Sequence, residues 1–355
     1  MARRELASPR AQGDVLTISL RPRSNPSGDG RGPCLQAGTR PSLWASASRL
    51  RAVSWKGEGI ADREPELENL LDQWADLLAD LDQAWKETKD QLGSVSEHSP
   101  AKRADDALAH ANPLWEQDEA SGAGLDAIQV IDAASMHVKG LRSLVADRTL
   151  EVAPWPLARA VVEHVAHAAW LLEPGITPKA RMARRWMGRL AAAHRFRRLA
   201  GARKKSKAEE KAAKRARDAV RSELLKRFPG TDTTWDNPAD MPLWNVAGET
   251  YPSLSKQCLG IRKLGVTNLD GLYDLLSFVA HPNPMALSLL VDRHEANGRV
   301  EFRYRYQPEQ WVRTLELPSA LMYRACQAVC SYFALNDQYL EAWADRFESV
   351  SGGSA

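Results

Sequence analysis

The sequence lacks the cysteine spacings of a zinc site or of a disulfide framework. It has 4 cysteines and no Cys-x-x-Cys pair, and Cys326 and Cys330 lie about one helical turn apart. It also lacks an apolar run of about 18 residues, which a membrane-spanning helix needs. No apolar segment follows the basic start at residues 1–4, as one would in a signal peptide. These absences predict a cytoplasmic protein that contacts no membrane.

The sequence patterns of common cofactor and metal sites are missing too. The chain has no phosphate-binding glycine loop, no Rossmann glycine signature and no Gly-x-Ser-x-Gly elbow. His164 and His167 are three residues apart and cannot hold an ion alone. The Glu-x-x-His pair of di-iron bundles is absent, because Ala166 stands three residues after Glu163. We therefore expect no metal site and no cofactor.

Residues 1–60 form a basic segment rich in arginine, proline, glycine and serine. They contain 10 Lys or Arg against 4 Asp or Glu, and they show no sustained hydrophobic periodicity. This composition predicts a disordered leader. A second interpretation is that the segment is not native coding sequence, because similar leaders arise when a start codon is assigned too far upstream. The intact mass of the native protein would decide between the two interpretations.

Apolar residues at helical spacing dominate the chain from residue 61 onward. The predicted helices cover residues 62–93, 101–110, 125–148, 154–173, 177–199, 204–227 and 253–260, then 268–281, and finally the region from Pro318 to about Phe347. Gly201 is expected to break the chain between two of these helices. We expect a mainly α protein, with residues 61–350 forming a single multi-helix bundle.

Residues 286–306 form the exception and predict a β-hairpin inserted in the bundle. Two strand-like segments, Ala286–Val291 and Arg299–Tyr306, are joined through Asn297-Gly298. Asn-Gly is the strongest short-range signal for a hairpin turn, because both positions accept a positive φ.

The helix predicted over residues 154–173 has two different faces. One arc is apolar, whereas the opposite arc carries Arg159, Glu163 and His167 together with an alanine and a tryptophan. A solvated face rarely holds a tryptophan among its charges, so we expect other elements to cover this face and to supply polar partners. A Glu163–His167 pair there would act as an acid–base couple, because a neighbouring carboxylate raises a histidine pKa. The alternative is a polar network that only joins helices.

The helix predicted over residues 268–281 carries a second polar stripe, formed by Tyr273, Ser277 and His281. We expect this stripe to satisfy the first one, with His281 reaching the same pocket as Glu163. The alternative for His281 is a purely structural role, because a histidine at a helix end is favoured by the helix dipole and can bond the last carbonyl groups.

The two stripes together resemble an uncharacterised family of helical bacterial proteins. The matching pattern is an Arg-x-x-x-Glu helix that ends in Trp-Leu-Leu-Glu-Pro, followed by a Tyr-x-x-x-Ser-x-x-x-His-Pro helix. The positions that carry it, within residues 154–285, are Arg159, Glu163, 170–174, Tyr273, Ser277, His281 and Pro282. More distantly, the arrangement is similar to HEPN-type bundles, which include many ribonucleases and also inactive binding members.

The catalytic motif of HEPN-type ribonucleases is an arginine separated from a histidine by four to six residues. This chain has that spacing in three places, at Arg103/His110, Arg159/His164 and Arg189/His194. Such pairs are also expected by chance in a chain rich in arginine. The resemblance therefore implies a helical-bundle architecture and leaves nuclease activity open.

Residues 195–227 form the second basic segment, with 14 Lys or Arg against 4 Asp or Glu. The apolar residues of the helix predicted there are mostly alanines, so we expect its first half to project from the body. The candidates for contacts with RNA or DNA phosphates are Arg203, Lys204, Lys205, Lys207, Lys211, Lys214 and Arg215. The alternative is a solvated face without a partner. Aromatic residues for base stacking only flank the segment, at Phe196 and Phe228.

Three functions follow as hypotheses, and the sequence leaves open whether the protein is an enzyme. The leading one is a helical binding or accessory protein that contacts RNA or DNA through the basic helix. The second is a HEPN-like ribonuclease or hydrolase, with Arg159, Glu163, His167 and His281 as catalytic residues and Tyr273 and Ser277 in support. The third is a homodimer whose tryptophan-rich surfaces bury one another, since the chain has 12 tryptophans.

Overall fold

The computed structural model describes residues 60–112, 114–115, 118–149, 153–203, 206–231, 243–266, 272–280, 285, 291–296, 299–304 and 308–352. Residues 1–59 of the predicted leader lie outside the described residues. The candidate site residues Lys204, Lys205 and His281 lie outside them as well.

The described residues contain ten α-helices, and the mainly α prediction is confirmed. In chain order they are α1 (Ile60–Asp90), α2 (Pro100–Ala111), α3 (Glu119–Ala146), α4 (Pro154–Leu171), α5 (Pro178–Ala202), α6 (Lys207–Arg227), α7 (Leu254–Gly260), α8 (Leu272–Ala280), α9 (Pro308–Phe333) and α10 (Gln338–Gly352). Short 3₁₀ turns follow α1 at Gln91–Ser94 and α7 at Ile261–Leu264. Within this part of the chain, no helix is long and apolar enough to cross a bilayer.

The helix α4 lies at the centre of the bundle. It packs against α3 and α9 on one side and against α5, α7 and α8 on the other. Its apolar arc is buried, with Val161 and Val165 both fully inaccessible. Ala166 and Trp170, on the polar arc, are only 0% and 8% exposed. The prediction that other elements cover the polar face is therefore confirmed.

Two small antiparallel sheets accompany the described helices. The strand β1 (Asn245–Val246) pairs with β2 (Glu249–Thr250), and β3 (Val291–Ala296) pairs with β4 (Arg299–Tyr304). Ala296 lies opposite Arg299, so only residues 297 and 298 connect the second pair. The predicted β-hairpin is confirmed, and its first strand continues five residues beyond the predicted end, to Ala296, whereas the predicted positions 286–290 lie outside the described residues. A two-residue Asn-Gly loop requires both strands to abut it directly.

The chain does break between α5 and α6, but two residues after the predicted position, because Gly201 is the penultimate residue of α5. A glycine in a helix lowers helix stability by only about 1 kcal/mol. The prediction that Pro318 opens a helix is wrong. Helix α9 begins at Pro308, where a proline is favoured, and continues through Pro318 in a segment where Leu321 and its neighbours are buried.

The tryptophans whose side chains are described belong to the core. Side chains are described for eight of them, all at most 9% exposed: Trp74, Trp85, Trp115, Trp155, Trp170, Trp186, Trp244 and Trp343. The described part of the chain therefore offers no tryptophan-rich surface for self-association. The homodimer itself stays a prediction.

Helices α5 and α6 form a helical hairpin, because only four residues separate them and α6 packs chiefly along α5. A capping box starts α6: the Ser206 side chain accepts from the backbone N–H of Glu209, whose carboxylate accepts from the Ser206 backbone. Residues 207–212 are all exposed. This exposure agrees with the expectation that the first half of the helix projects.

Candidate functional site

The ends of α4 place its polar stripe opposite α8. Pro154 and Pro156 lie in the first turn, where a proline is favoured because the N–H it lacks would have no partner. The helix ends at Leu171, and Gly175 follows with a φ of 79°, a conformation that favours glycine. Arg159 and Glu163 then lie one and two turns into α4, on the side that packs against α8.

Arg159, Glu163 and Tyr273 form a closed hydrogen-bonded triangle between α4 and α8. Nε of Arg159 donates to Oε1 of Glu163 at 2.7 Å, and Nη2 donates to the Tyr273 hydroxyl at 3.2 Å. The hydroxyl in turn donates to the same Oε1 at 3.2 Å. The prediction that the two stripes satisfy one another is therefore confirmed for these three residues.

The triangle holds Arg159 and Tyr273 in their ordinary charge states at neutral pH. Burial opposes the charge of Arg159, but the hydrogen bond and the charge of Glu163 outweigh it and raise the pKa of Arg159. Burial, followed by the charge of Glu163, raises the pKa of Tyr273, so the phenol stays protonated. Oε2 of Glu163 makes no hydrogen bond to a described residue. It is the one oxygen of this carboxylate that remains available to a ligand.

His167 does not join this triangle. Its ring centre lies 5.6 Å from that of Trp170. Burial lowers the pKa of His167, and the positive charge of Arg195 lowers it further, although the nearby Gln257 side chain acts in the opposite direction. The expectation that a Glu163 partner raises this pKa is therefore wrong. Glu163 is engaged by Arg159 and Tyr273, and His167 is neutral at pH 7.

A cavity of about 460 Å³ lies beside the polar stripe, between α4, α5 and the segment 251–257. Its volume is typical of small-molecule sites. Polar side chains reach it from every wall: Glu163, His164, His167, Arg195, Ser253 and Gln257. Apolar lining comes from residues such as Val130 and Leu254. The cavity therefore combines hydrogen-bonding groups with a surface that can contact a flat or apolar ligand.

His164 presents a defined nitrogen. Its Nδ1 lies 2.6 Å from the carbonyl oxygen of Ala160, and because a carbonyl only accepts, Nδ1 carries the proton. Nε2 of the neutral ring is then an acceptor. The ring centre of His137, on α3, lies 5.3 Å from that of His164. Burial and the proximity of His164 lower the pKa of His137, so the two rings disfavour double protonation.

The other candidate site residues around α8 do not take part in the hydrogen-bonded triangle as the structure describes it. Ser277 is half-buried in α8 and takes no part in the triangle among the described residues. His281 is not placed, since it lies outside the described residues. Cys258 is buried in α7, and burial, followed by the charge of Glu163, raises its pKa to about 12. Cys258 is therefore a thiol at neutral pH and not a thiolate nucleophile.

The sequence does not predict most of the cavity wall. It indicates Arg195 only as part of a basic run, and Ser253 and Gln257 belong to a segment with no polar stripe of its own. Gly188 is the one residue whose local sequence indicates the cavity. A glycine inside a long helix points to close packing or an open space, and a Cβ at position 188 would lie 3.5 Å from Cε1 of His167. The bare backbone at this position leaves the cavity open.

The second candidate surface is the basic helical hairpin, residues 195–227. The five described candidates are all exposed, and none makes an ion pair with a described residue: Arg203, Lys207, Lys211, Lys214 and Arg215. The last four recur at helical spacing and share one face of α6. This face presents a row of cations to solvent.

The base of the hairpin uses its cations differently, because they form internal ion pairs. Oε1 of Glu119 is 2.9 Å from Nη2 of Arg227, and Oε2 of Glu119 is 3.0 Å from Nη1 of Arg185. Arg227 also pairs with Glu223 at 2.6 Å, and its guanidinium carbon lies 4.7 Å from the centre of the Trp186 ring. Only part of the positive charge counted in the sequence is therefore available to a partner.

The two aromatic residues that flank the basic segment have opposite environments. Phe228 is 3% exposed and packs edge-on against Trp115, with ring centres 5.3 Å apart. Phe196 is 60% exposed, next to Arg195 on α5. The hairpin therefore carries one solvent-facing aromatic ring among its cations, which is the combination that single-strand binding surfaces use.

No cluster of three or more His, Cys, Asp or Glu in the described part of the chain is arranged to hold a metal ion. Comparison with known proteins gives no match: no family model, no curated protein and no solved structure is similar to this chain. The function must therefore be inferred from the two surfaces themselves.

Proposed function

We propose that this chain is a binding or accessory protein that contacts RNA or DNA electrostatically through the basic helical hairpin. The observation that carries the proposal is the row of exposed cations on one face of α6, none of which is paired with a described residue. Nucleic-acid binding without sequence preference depends on such contacts between Lys or Arg side chains and phosphates.

The length of the row favours a polyanion over a single anion. Lys207 and Arg215 are eight residues apart, which corresponds to about 12 Å along a helix. One DNA strand places a phosphate every 3.4 Å or so along the duplex axis. The row therefore spans several phosphates, whereas one small anion would meet only one or two of its cations.

The stability of α6 does not explain the row. Lys207 and Lys211 lie in the first turns, where the helix dipole disfavours positive charge. The hairpin nevertheless keeps both residues exposed and without an acidic partner among the described residues. A membrane partner is less suitable, because a helix that lies in a bilayer surface needs large apolar side chains opposite its charges. The corresponding residues in this half of α6 are alanines, such as Ala212 and Ala216.

The proposal is tested by neutralising the row. In one variant, Lys207, Lys211, Lys214 and Arg215 are replaced by Gln, which preserves helix propensity. In the matched control, four exposed cations that form no ion pair with a described residue are replaced by Gln: Arg103, Arg142, Lys179 and Lys256. Both variants lose the same net charge, so they differ only in where it is lost.

Binding to labelled single-stranded RNA and DNA is then measured by fluorescence anisotropy at low salt. We expect the hairpin variant to bind at least about tenfold more weakly than the wild type, and the control to stay within about twofold. If both variants bind the oligonucleotides equally weakly, binding depends on the net charge of the protein and not on the hairpin. Absence of binding by the wild type would remove the proposal altogether.

The hydrolase and homodimer hypotheses remain predictions. Gel analysis of the same binding reactions tests the first, because cleaved oligonucleotide would point to the HEPN-like hydrolase and intact oligonucleotide to a binding protein. Light scattering of the purified chain tests the second, because a dimer has twice the mass of the monomer.

A further inference from the structure

Arg195 belongs to two surfaces at once. It lies at the start of the basic helical hairpin and also lines the cavity beside α4. Its side chain is exposed and makes no ion pair with a described residue. Arg198 follows three residues later, on the same face of α5, and is exposed as well. Cations therefore lead from the projecting part of the hairpin to the mouth of the cavity.

The cavity lining carries different groups in different places. The exposed Arg195 supplies a positive charge at the mouth, whereas the half-buried Glu163 and His164 supply a carboxylate oxygen and an acceptor nitrogen. A phosphate is therefore favoured beside Arg195 rather than beside the Glu163 carboxylate, which is paired with Arg159. The planar guanidinium of arginine suits phosphate oxygens, which it can bind in a bidentate manner.

The interior has the features that hold a nucleobase. The oxygen Oε2 of Glu163 and the nitrogen Nε2 of His164 accept hydrogen bonds, and Gln257 can donate or accept. Base edges carry N–H donors that match such acceptors, and base faces contact apolar side chains such as those of Val130 and Leu254. The cavity volume of about 460 Å³ is in the range of sites for single small molecules and is too small for an extended strand.

We infer that the cavity is a nucleotide subsite, which takes the terminal nucleotide of the strand bound by the hairpin, with its base inside and its phosphate on Arg195. This inference rests on the proposed function, because the hairpin delivers the strand. Free nucleoside monophosphates share the same chemistry and are the other source of such a ligand. The experiment therefore treats the two sources separately.

The test compares a linear single-stranded oligonucleotide with a circular one of the same sequence, since only the linear form has an end. Two variants alter the cavity. Gly188→Leu fills it beside His167, and Arg195→Gln removes the charge at its mouth. Each has a matched control on α5: Gly201→Leu, where nothing lies within 4 Å of an added Cβ, and Lys179→Gln, an exposed cation outside the cavity lining. Thermal unfolding of Gly188→Leu shows whether it folds, and the exposed Arg195→Gln provides an independent variant.

We expect the wild type to bind the linear strand about tenfold more tightly than the circle, the change that corresponds to one hydrogen bond to a charged group. Gly188→Leu and Arg195→Gln should abolish that difference, and the two controls should preserve it. Equal binding of the linear and circular strands by the wild type would overturn the subsite and leave the hairpin proposal standing.

If the wild type binds neither strand, the proposed function is removed. Binding of free nucleoside monophosphates then tests the subsite on its own. Each of the four ribonucleoside 5′-monophosphates is titrated alone by calorimetry. Binding to the wild type that Gly188→Leu abolishes and Gly201→Leu preserves would support a site for free nucleotides. No heat of binding with any of the four would overturn the inference.

Discussion

The two histidines of α4 that line the cavity have different partners, although they lie three residues apart. His164 bonds to a backbone carbonyl of its own helix, whereas the ring of His167 packs beside that of Trp170, with 5.6 Å between the ring centres. The bond of His164 fixes its tautomer, and burial lowers the pKa of His167. Each ring therefore presents a different group to the cavity, which the sequence spacing alone does not reveal.

The lowered pKa of His167 predicts a loss of stability in mild acid. Burial lowers this pKa first and Arg195 and His164 lower it further, while Gln257 and Asp126 act in the opposite direction. The unfolded chain binds the proton at higher pH than the folded chain does. The free energy of unfolding should therefore fall as the pH drops below about 6.5, by at most about 1.4 kcal/mol per pH unit from this residue.

Urea unfolding between pH 7 and pH 5 checks this prediction. His167→Gln should weaken the pH dependence, and His110→Gln should leave it unchanged because His110 is exposed on α2. The carboxylates of Asp82 and Glu173 do not interfere, since hydrogen-bonded and charged partners outweigh burial and lower the pKa of each. If the free energy of unfolding depends on pH in the same way in wild type and His167→Gln, the pH dependence cannot be assigned to His167.

A second prediction at the residue scale concerns Phe196. Its ring is 60% exposed among the cations of the hairpin, where it can stack on one base of a single strand. Phe196→Ala should weaken single-strand binding by about 1–3 kcal/mol and leave duplex binding nearly unchanged. Leu199→Ala, at a side chain 45% exposed on the same helix, is the matched control. Anisotropy titrations that show equal losses for both variants would exclude a stacking role.

The sequence predicts that the stripes of Arg159, Glu163 and Tyr273 satisfy one another and that a pocket lies at Glu163, but it does not predict the other walls of the cavity. The triangle follows from local rules, because two polar stripes at helical spacing need partners once both helices pack. The cavity depends on the approach of the segment 251–257, which has no polar stripe and no motif. Its position is set by tertiary packing around Trp170 and Tyr251, whose ring centres lie 5.4 Å apart.

At the scale of elements, glycines mark where helices meet closely. A Cβ at Gly124 on α3 would lie 2.4 Å from Cζ of Phe333 and 2.9 Å from Cδ1 of Tyr332, both on α9. Both rings are buried, so they cannot move aside without disturbing the core. Gly201, in the exposed part of α5, has nothing within 4 Å of its added Cβ.

These two glycines predict opposite effects of the same substitution. Gly124→Ala should lower the free energy of unfolding by about 1–3 kcal/mol, because it overpacks the contact between α3 and α9. Gly201→Ala should raise it by up to about 1 kcal/mol, because alanine is the better helix former. Both changes in the free energy of unfolding are checked by the midpoints of urea unfolding, monitored by circular dichroism. Destabilisation by Gly201→Ala would show that the hairpin packs against something in solution.

Element boundaries were predicted well where caps decide them and poorly where packing does. Thr177 starts α5 as expected, with its side chain accepting from the backbone N–H of Ala180. Pro318 is wrong as a helix start because tertiary contacts overrule this helix breaker, whereas the break expected at Gly201 begins two residues later, at Arg203. Pro308 and Pro318 are equivalent as local signals, and only the packing of α9 shows which one lies inside the helix.

At the scale of the whole molecule, charge is distributed unevenly between the bundle and its projecting part. The bundle pairs most of its buried charges, as Glu119 does with Arg185 and Arg227. The projecting half of the hairpin leaves its cations exposed. Outside residues 1–60 and 195–227 the chain has 24 Lys or Arg against 37 Asp or Glu. The positive row therefore attracts a polyanion and orients it, because the acidic remainder repels the same charges.

The salt dependence of binding to single-stranded RNA tests this account most directly. With about five phosphate contacts, the logarithm of the association constant should fall against the logarithm of salt concentration with a slope of about −3.5. Replacing Lys207, Lys211, Lys214 and Arg215 by Gln should make the slope less negative by about 3. A wild-type slope near zero, or an unchanged slope in that variant, would contradict electrostatic binding through the hairpin.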